Sequence, residues 1–290
     1  MIIDPKDTAT GKLHGFMLSA IAPRPIAFAS TISADGIPNL APFSFFNAFG
    51  SNPPTVIFSP ARRVRDNTVK HTLENVREVP EVVINVVNYA IVQQMNLASC
   101  EYPKGVNEFE KAGLTPVAST LIKPLRIKES PVQFECKVKQ IIETGQHGGA
   151  GNLIICEVVL MHIDDAVLGA DGRIDPNKID LVARMGGDLY SRASGAALFT
   201  VPKPNEKTGM GIDQLPEAIR TSRVLTGNDL GILGNFETIP TIDSSLLGTG
   251  YQHLISHYQN DDLKQQLHLL AHELIEKGNV AEAWQVLLAN

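Results

Sequence analysis

The stretch Ser59-Pro60-Ala61-Arg62-Arg63-Val64-Arg65-Asp66-Asn67-Thr68 ends a run of strand-forming residues and opens a helical pattern. Three arginines, hydroxyl groups and the amides of a starting helix meet there, and a phosphomonoester needs that combination of charge and multiple donors. The same residues also suit a solvated basic loop with an ordinary helix cap. Upstream, Asn39-Leu40-Ala41-Pro42-Phe43-Ser44-Phe45-Phe46-Asn47 mixes a proline-interrupted strand with three phenylalanines and small polar side chains. A flat heteroaromatic ligand uses such a mixture, with apolar contact on its face and amide or hydroxyl groups at its polar edge. Packed core is the other use for these aromatics.

Two further groups are weaker. His253 with His257 and His268 with His272 stand at the i,i+4 spacing that lets two imidazoles share a metal. Neither His253 nor His268 is followed by Glu and no third ligand is evident, so no metal site is expected. Gly148-Gly149-Ala150-Gly151 lacks the context and pattern of a phosphate loop and reads as a mobile hairpin tip.

The elements that must hold these residues are mostly strands up to about Val159. Pro25 to Ile32 runs through the turn Ala34-Asp35-Gly36 into Ile37 to Phe46, a hairpin. Thr55 to Ser59 and Val82 to Val87 are short β-branched runs. Between them Val69, Leu73 and Val76 fall on one helical face, with Asp66 or Asn67 as cap and Pro80 as stop. Val132 to Lys139 alternates apolar and polar residues, and Gly145 to Gly151 returns the chain into Asn152 to Val159. Hairpins around a single helix predict a closed or partly closed barrel. Phe199 to Asp213 has a linker's composition. Beyond it, Leu263, Leu267, Leu270 and Leu274 form a stripe closed by Gly278, and a second helix follows with Asn279 and Glu282 spaced as a capping box. Its Val280, Ala283, Trp284 and Leu287 are expected to face inward. So small a tail is expected to need the barrel or a partner to cover its apolar faces.

Composition narrows the function classes. The chain has 290 residues, 43% hydrophobic and 19% charged, which fits one large domain or two and excludes disordered or fibrous classes. A net charge of −6 argues against general nucleic-acid binding. Three cysteines without a C-x-x-C pair indicate neither a disulfide framework nor a zinc knuckle, and fit a cytoplasmic protein. No stretch reaches the roughly 20 apolar residues of a membrane span.

The residues in order then show a resemblance. Arg24-Pro25-Ile26-Ala27, Ser30-Thr31, Asp35 through Asn47, Asn52-Pro53-Pro54, Phe58-Ser59-Pro60, Asp66-Asn67-Thr68 and Asn75-Val76 together resemble the flavin reductase-like family. Lys104 to Phe109, Ala112 to Leu114, Glu129 to Val132 and Cys156 to Val158 continue the match, which runs from about Ile21 to Arg192. Ordered agreement over that length is more specific than any one motif.

The resemblance implies a mainly β chain: an FMN-binding split β-barrel with peripheral helices over residues 1–195, then a linker and helical C-terminal extension over 196–290. It implies a homodimer with FMN near the subunit interface, and NADH or NADPH as electron donor. Ala41, Pro42, Phe43, Ser44 and Asn47 are expected along the isoalloxazine, with Ser30, Thr31 and Ser59 near the ribityl chain or phosphate. Arg65, Asp66, Asn67 and Thr68 stand where the family often has Lys-Asp-Thr, so Arg65 can replace the charge of that Lys, with the phosphate expected on one of Arg62, Arg63 and Arg65. Arg184 and Tyr190, in Ala183 to Arg192, are expected to border the substrate side, with Gly186 and Gly187 letting backbone approach the cofactor. The implied activity is hydride transfer to FMN, with no protein nucleophile or acid-base pair required. A flavoredoxin-like electron carrier or flavin-binding protein is the alternative, and the helical tail also permits a docking role.

Overall fold

The computed structural model describes residues 1–204 and 207–289. The chain forms two compact units, Met1–Phe199 and Thr200–Asn290. In the first, β1 (Ala27–Ile32), β2 (Pro38–Phe43), β3 (Phe46–Ser51), β4 (Pro54–Phe58), β5 (Glu81–Val86), β8 (Val132–Glu143) and β9 (Asn152–Ile163) make one sheet. Short pairs, β6 (Pro116–Val117) with β7 (Arg126–Ile127) and β10 (Val182–Arg184) with β11 (Tyr190–Arg192), lie outside it.

The seven strands run antiparallel in the order β2-β1-β5-β8-β9-β4-β3. β2 and β3 are thus opposite edges of the sheet, yet only Ser44 and Phe45 separate them in the chain. Two residues cannot cross a flat seven-stranded sheet, so the sheet must curl until its edges stand side by side. The result is a barrel split between β2 and β3, and the Ser59 amide donating to the Phe45 carbonyl at 2.9 Å closes that corner.

Both faces of the sheet carry core. Ala27, Ala29, Val82, Ile84, Ile154 and Cys156 point one way and pack with Phe58 and with Leu73 and Val76 of α2 (His71–Glu78). Ile26, Phe28 and Leu40 point the other way, against α3 (Val92–Ala98) and α4 (Glu108–Ala112). The β1–β2 hairpin turns at Gly36, whose φ of 82° suits a residue without Cβ. Pro42 is tolerated within β2 because β2 is an edge.

Several expectations are corrected. Helix α2 begins at His71, with Lys70 as an N-cap that makes no side-chain bond, so neither Asp66 nor Asn67 caps it. The intervening residues form a loop in which Asn67 adopts φ 57°, a conformation asparagine tolerates better than most. The Gly148–Gly149 tip is pinned to the arginine loop: Arg62 N donates to Ala150 O at 2.8 Å and Gly149 N to Arg62 O at 2.9 Å. A Cβ on Gly148 would stand 2.9 Å from the Val64 carbonyl, so glycine there permits the clasp. A helix without a buried residue, α1 (Thr10–Ala20), precedes the barrel and gave no apolar stripe to read. A short α5 (Pro176–Ile179) leads into β10. "Mainly β" describes the sheet-centred first unit but not the chain, which is 34% helical and 24% strand.

The second unit is helical: α6 (Glu217–Arg220), α7 (Gly227–Gly234), α8 (Thr249–His257), α9 (Asn260–Glu276) and α10 (Val280–Leu288). Leu267, Leu274, Ala283, Trp284 and Leu287 are buried on the expected faces. The unit covers these faces itself, because Leu215, Ile219, Leu225 and Leu233, from segments without a readable stripe, complete a core around Trp284. The capping box lies at Thr226 and Asp229 of α7. Asn279 makes no side-chain cap, and Glu282 instead accepts from the Gly248 amide at 3.2 Å. Residues 205 and 206 of the expected linker lie outside the described residues. Among the described residues no helix is long and apolar enough to cross a membrane.

Candidate functional site

A trough follows β2 along the edge of the split barrel. One end is lined by Ala41, Pro42 and Phe43 of β2, by Arg63, by Lys70 to Thr72 at the start of α2, and by Ser99 to Tyr102 after α3, around a space of about 70 Å³. The other end, about 150 Å³, shares Pro42, Phe43 and Ser99 and adds Ser44, Met95, Arg184 and Tyr190. β2 has β1 on one side only, so its backbone is open toward a ligand on the other.

The first end holds two cations, Arg63 and Lys70, with the carboxylates of Glu101 and Glu108 on the same lining. Arg63 Nη1 donates to Thr68 Oγ1 at 2.7 Å and to Val69 O at 2.9 Å, fixing the guanidinium. Its Nε is buried and makes no hydrogen bond, although a Glu101 carboxylate oxygen lies 3.4 Å away. That pair is an ion contact without hydrogen-bond alignment, so the Nε donor remains to be satisfied. Burial, and then the positive charge of Arg63, hold the Lys70 ammonium below its usual range. Two crowded cations with a free buried donor fit a phosphate, which answers both charge and geometry. Glu108, also on this wall, accepts from the Leu40 amide at 3.0 Å, and burial pushes its carboxyl pKa up.

The second end mixes apolar and small polar groups. Ile26, Phe43 and Met95 supply apolar wall, while Ser44, Asn96 and Ser99 are its small polar groups. Arg184 closes it, donating to Tyr190 Oη at 2.9 Å and to Gly187 O at 2.8 Å. Behind it Arg24, 5% exposed, donates to the carbonyls of Leu18, Ile21 and Met185. Arg24 thereby ties the end of α1 and the β10–β11 turn to the start of β1. Gly186 of that turn makes room for Ser19 of α1, since a Cβ would meet Ser19 Oγ at 2.3 Å.

The trough therefore gathers Ala41, Pro42, Phe43, Ser44, Arg184 and Tyr190. Other expected residues stand elsewhere. Ser30 and Thr31 are fully buried; Thr31 Oγ1 accepts from Asn39 and Asn75, and the Ser30 hydroxyl has no partner. Ser59 Oγ accepts from the Asn152 amide at 3.0 Å and so fixes the start of β9. Asn47 is exposed on β3, its side chain accepting from the Ala48 amide. Asn67 and Thr68 line an open hollow with Arg62 and Arg63, but the Asn67 side chain is held by Arg62 and the Gln146 carbonyl. Asp66 accepts from the Thr68 hydroxyl and amide, and these bonds with Arg65 hold its carboxyl far below the usual range. Arg65, 65% exposed, is paired with Asp66 and Glu101 on the surface.

Sequence reading held Arg62, Arg63 and Arg65 together as the phosphate cluster, with Arg65 in the place of the family's Lys, and passed over Lys70, His71, Asn96 and Ser99. For Lys70 and His71 the available signal was the true start of α2; Asn96 and Ser99 carry no local signal and reach the trough only because α3 packs on β2. The histidine pairs serve other contacts. His253 and His257 rings stack at 4.1 Å, His268 bonds Ser222 at 2.7 Å, and His272 bonds Asp229 at 2.9 Å.

Comparison with known proteins meets this geometry. The sequence profile of the flavin reductase like domain matches residues 18–177. A relative from Aquifex aeolicus is 40% identical over 196 residues, 68% of this chain and 97% of its own length. The structure of nitrilotriacetate monooxygenase component B from Bacillus cereus superposes with a TM-score of 0.64 at 28% identity, covering 69% of this chain and 98% of that one. A Shewanella frigidimarina protein with a split barrel domain gives 0.58 at 28% identity, covering 70% and 99%. The profile spans more than half of the chain, across the barrel and the trough walls up to α3, and the chain belongs to the flavin reductase-like family.

Proposed function

We propose that the protein is an FMN-dependent oxidoreductase that takes hydride from NADH or NADPH, in its simplest form a flavin reductase. The observation that carries this reading is the adjacency of the two hollows, which share Pro42, Phe43 and Ser99. A hollow that holds Arg63 and Lys70, with the Arg63 Nε making no hydrogen bond, adjoins at Pro42, Phe43 and Ser99 a hollow walled by Ile26, Phe43 and Met95 and edged by small polar groups. FMN has the same layout, a phosphate on a polyol chain joined to a planar heteroaromatic ring.

When bound, FMN supplies the redox chemistry. Arg63 and Lys70 hold its phosphate. The open backbone of β2 from Ala41 to Ser44 meets the polar edge of the ring, and Ile26, Phe43 and Met95 keep water from it. Arg184 and Tyr190 border the side from which a second reactant enters. The likeness to a monooxygenase component B supports an acceptor outside this chain, whether free flavin, a metal complex or a protein.

Anaerobic mixing of the FMN-loaded protein with NADH and, separately, NADPH tests the donor. Loss of the visible flavin absorbance with at least one donor is the expected result. Full absorbance retained with both would overturn the reductase reading and leave the chain an electron carrier.

A further inference from the structure

Beside the ring end of the trough, and sharing Asn96, Arg184 and Tyr190 with it, lies a separate cleft of about 350 Å³ between the Tyr89–Asn96 segment and the β10–β11 hairpin. We propose that this cleft binds a small planar carboxylate, a monocyclic aromatic acid, held by Arg184. The proposal deepens the flavin reading by naming the ligand class of the adjoining site, and it rests on that reading only for what the ligand would meet in the trough.

Charge makes the first part of the case. Two arginines line the cleft, and they differ in what answers them. Arg192 is gripped by both carboxylate oxygens of Asp180, at 2.7 and 2.6 Å. Arg184 bonds only neutral oxygens, those of Tyr190 and Gly187, and none of the salt bridges among the described residues includes it. Directly behind it Arg24 also pairs with no carboxylate among the described residues, and the two backbones pair at 2.9 Å in both directions. Two adjacent guanidinium groups, one of them buried, leave positive charge for an anion to answer. Asp188 also borders the cleft, but it is exposed at the hairpin turn, where water screens its charge.

Shape and chemistry make the second part. Tyr89 and Tyr190 both line the cleft, and each ring is backed by a guanidinium, Arg192 at 4.0 Å and Arg184 at 4.9 Å. Val92 and Val182 add apolar surface between them. Flat walls favour a ring, and the planar fork of Arg184 matches a carboxylate. A cavity of about 150 Å³ accepts benzene, so this cleft has room for a substituted ring with its acid group.

The test is calorimetric titration of the full chain, with and without saturating FMN, using benzoate and its neutral isostere benzamide. Benzoate is expected to bind about tenfold or more tightly than benzamide, the value of one charge-assisted pair. Arg184→Met should bring the two within about twofold while benzamide binding persists, which reports a folded cleft, and Arg184→Lys should fall between. Tyr89→Leu should weaken both ligands. Equal affinity for benzoate and benzamide in the unmodified chain, or a preference that survives Arg184→Met, would overturn the proposal. A chain that prefers benzoate but takes up no FMN would sink the flavin reading alone. A chain that takes up FMN and shows no preference would sink this proposal alone.

Discussion

Arg63→Ala should weaken FMN roughly 10- to 100-fold and leave riboflavin within a few-fold, because one charge-assisted hydrogen bond contributes about 1.5–3 kcal/mol and only FMN carries the phosphate that makes it. The side chain is placed for that role. It is 19% exposed, two of its bonds hold it against Thr68 and Val69, and its buried Nε makes no hydrogen bond. Arg65 is the informative contrast. It is exposed and bound to surface carboxylates, so Arg65→Ala should change FMN affinity by less than about threefold, as expected for exposed pairs. Titration of both flavins against both variants separates the cases. Equal losses for FMN and riboflavin in Arg63→Ala would mean that the loop, rather than the phosphate contact, was lost. A larger FMN loss in Arg65→Ala would return the phosphate role to Arg65.

Leu233→Ala should cost the C-terminal unit about 2–5 kcal/mol, the range for truncating a fully buried leucine. Leu233 is 0% exposed at the end of α7 and belongs to the core that surrounds Trp284. Trp284 is the single tryptophan of the chain and is itself fully buried, with Phe236 edge-on at 5.9 Å, so its fluorescence reports this unit. Urea unfolding followed by that fluorescence should show a clearly lower midpoint for Leu233→Ala. Leu269→Ala, at a site 39% exposed, should shift it far less. Equal midpoints for the two variants would contradict an independent core built on Leu233.

What could be read from sequence followed local physics. The β1–β2 hairpin declared itself through Pro25 to Ile32 and the Asp35-Gly36 turn, and β8 through the alternation at Val132 to Lys139. Leu267, Leu274 and Trp284 were legible because a helical stripe needs only near neighbours. The start of α2 was not, since its loop is shaped by Asn67 in a left-handed conformation and by the distant Gln146 carbonyl. Helix α1 was invisible because it buries nothing. The segment from Asn39 to Asn47 marked a strand that lines the trough, yet the trough around Ala41 to Ser44 also draws on Lys70, Ser99 and Tyr190. Those residues are brought together by the curl of the sheet and the packing of α3, a relation no local pattern encodes. Thr31 and Ser59 are small polar residues whose side chains the fold also engages, Thr31 with Asn39 and Asn75 and Ser59 with the Asn152 amide, while buried Ser30 makes no such bond.

The most direct measurement is flavin uptake by the purified protein, by absorbance and by thermal denaturation with FMN and with riboflavin. The trough described here predicts one bound FMN per chain and a rise in melting temperature that is larger with FMN than with riboflavin. A colourless protein whose melting temperature is unmoved by either flavin would contradict it.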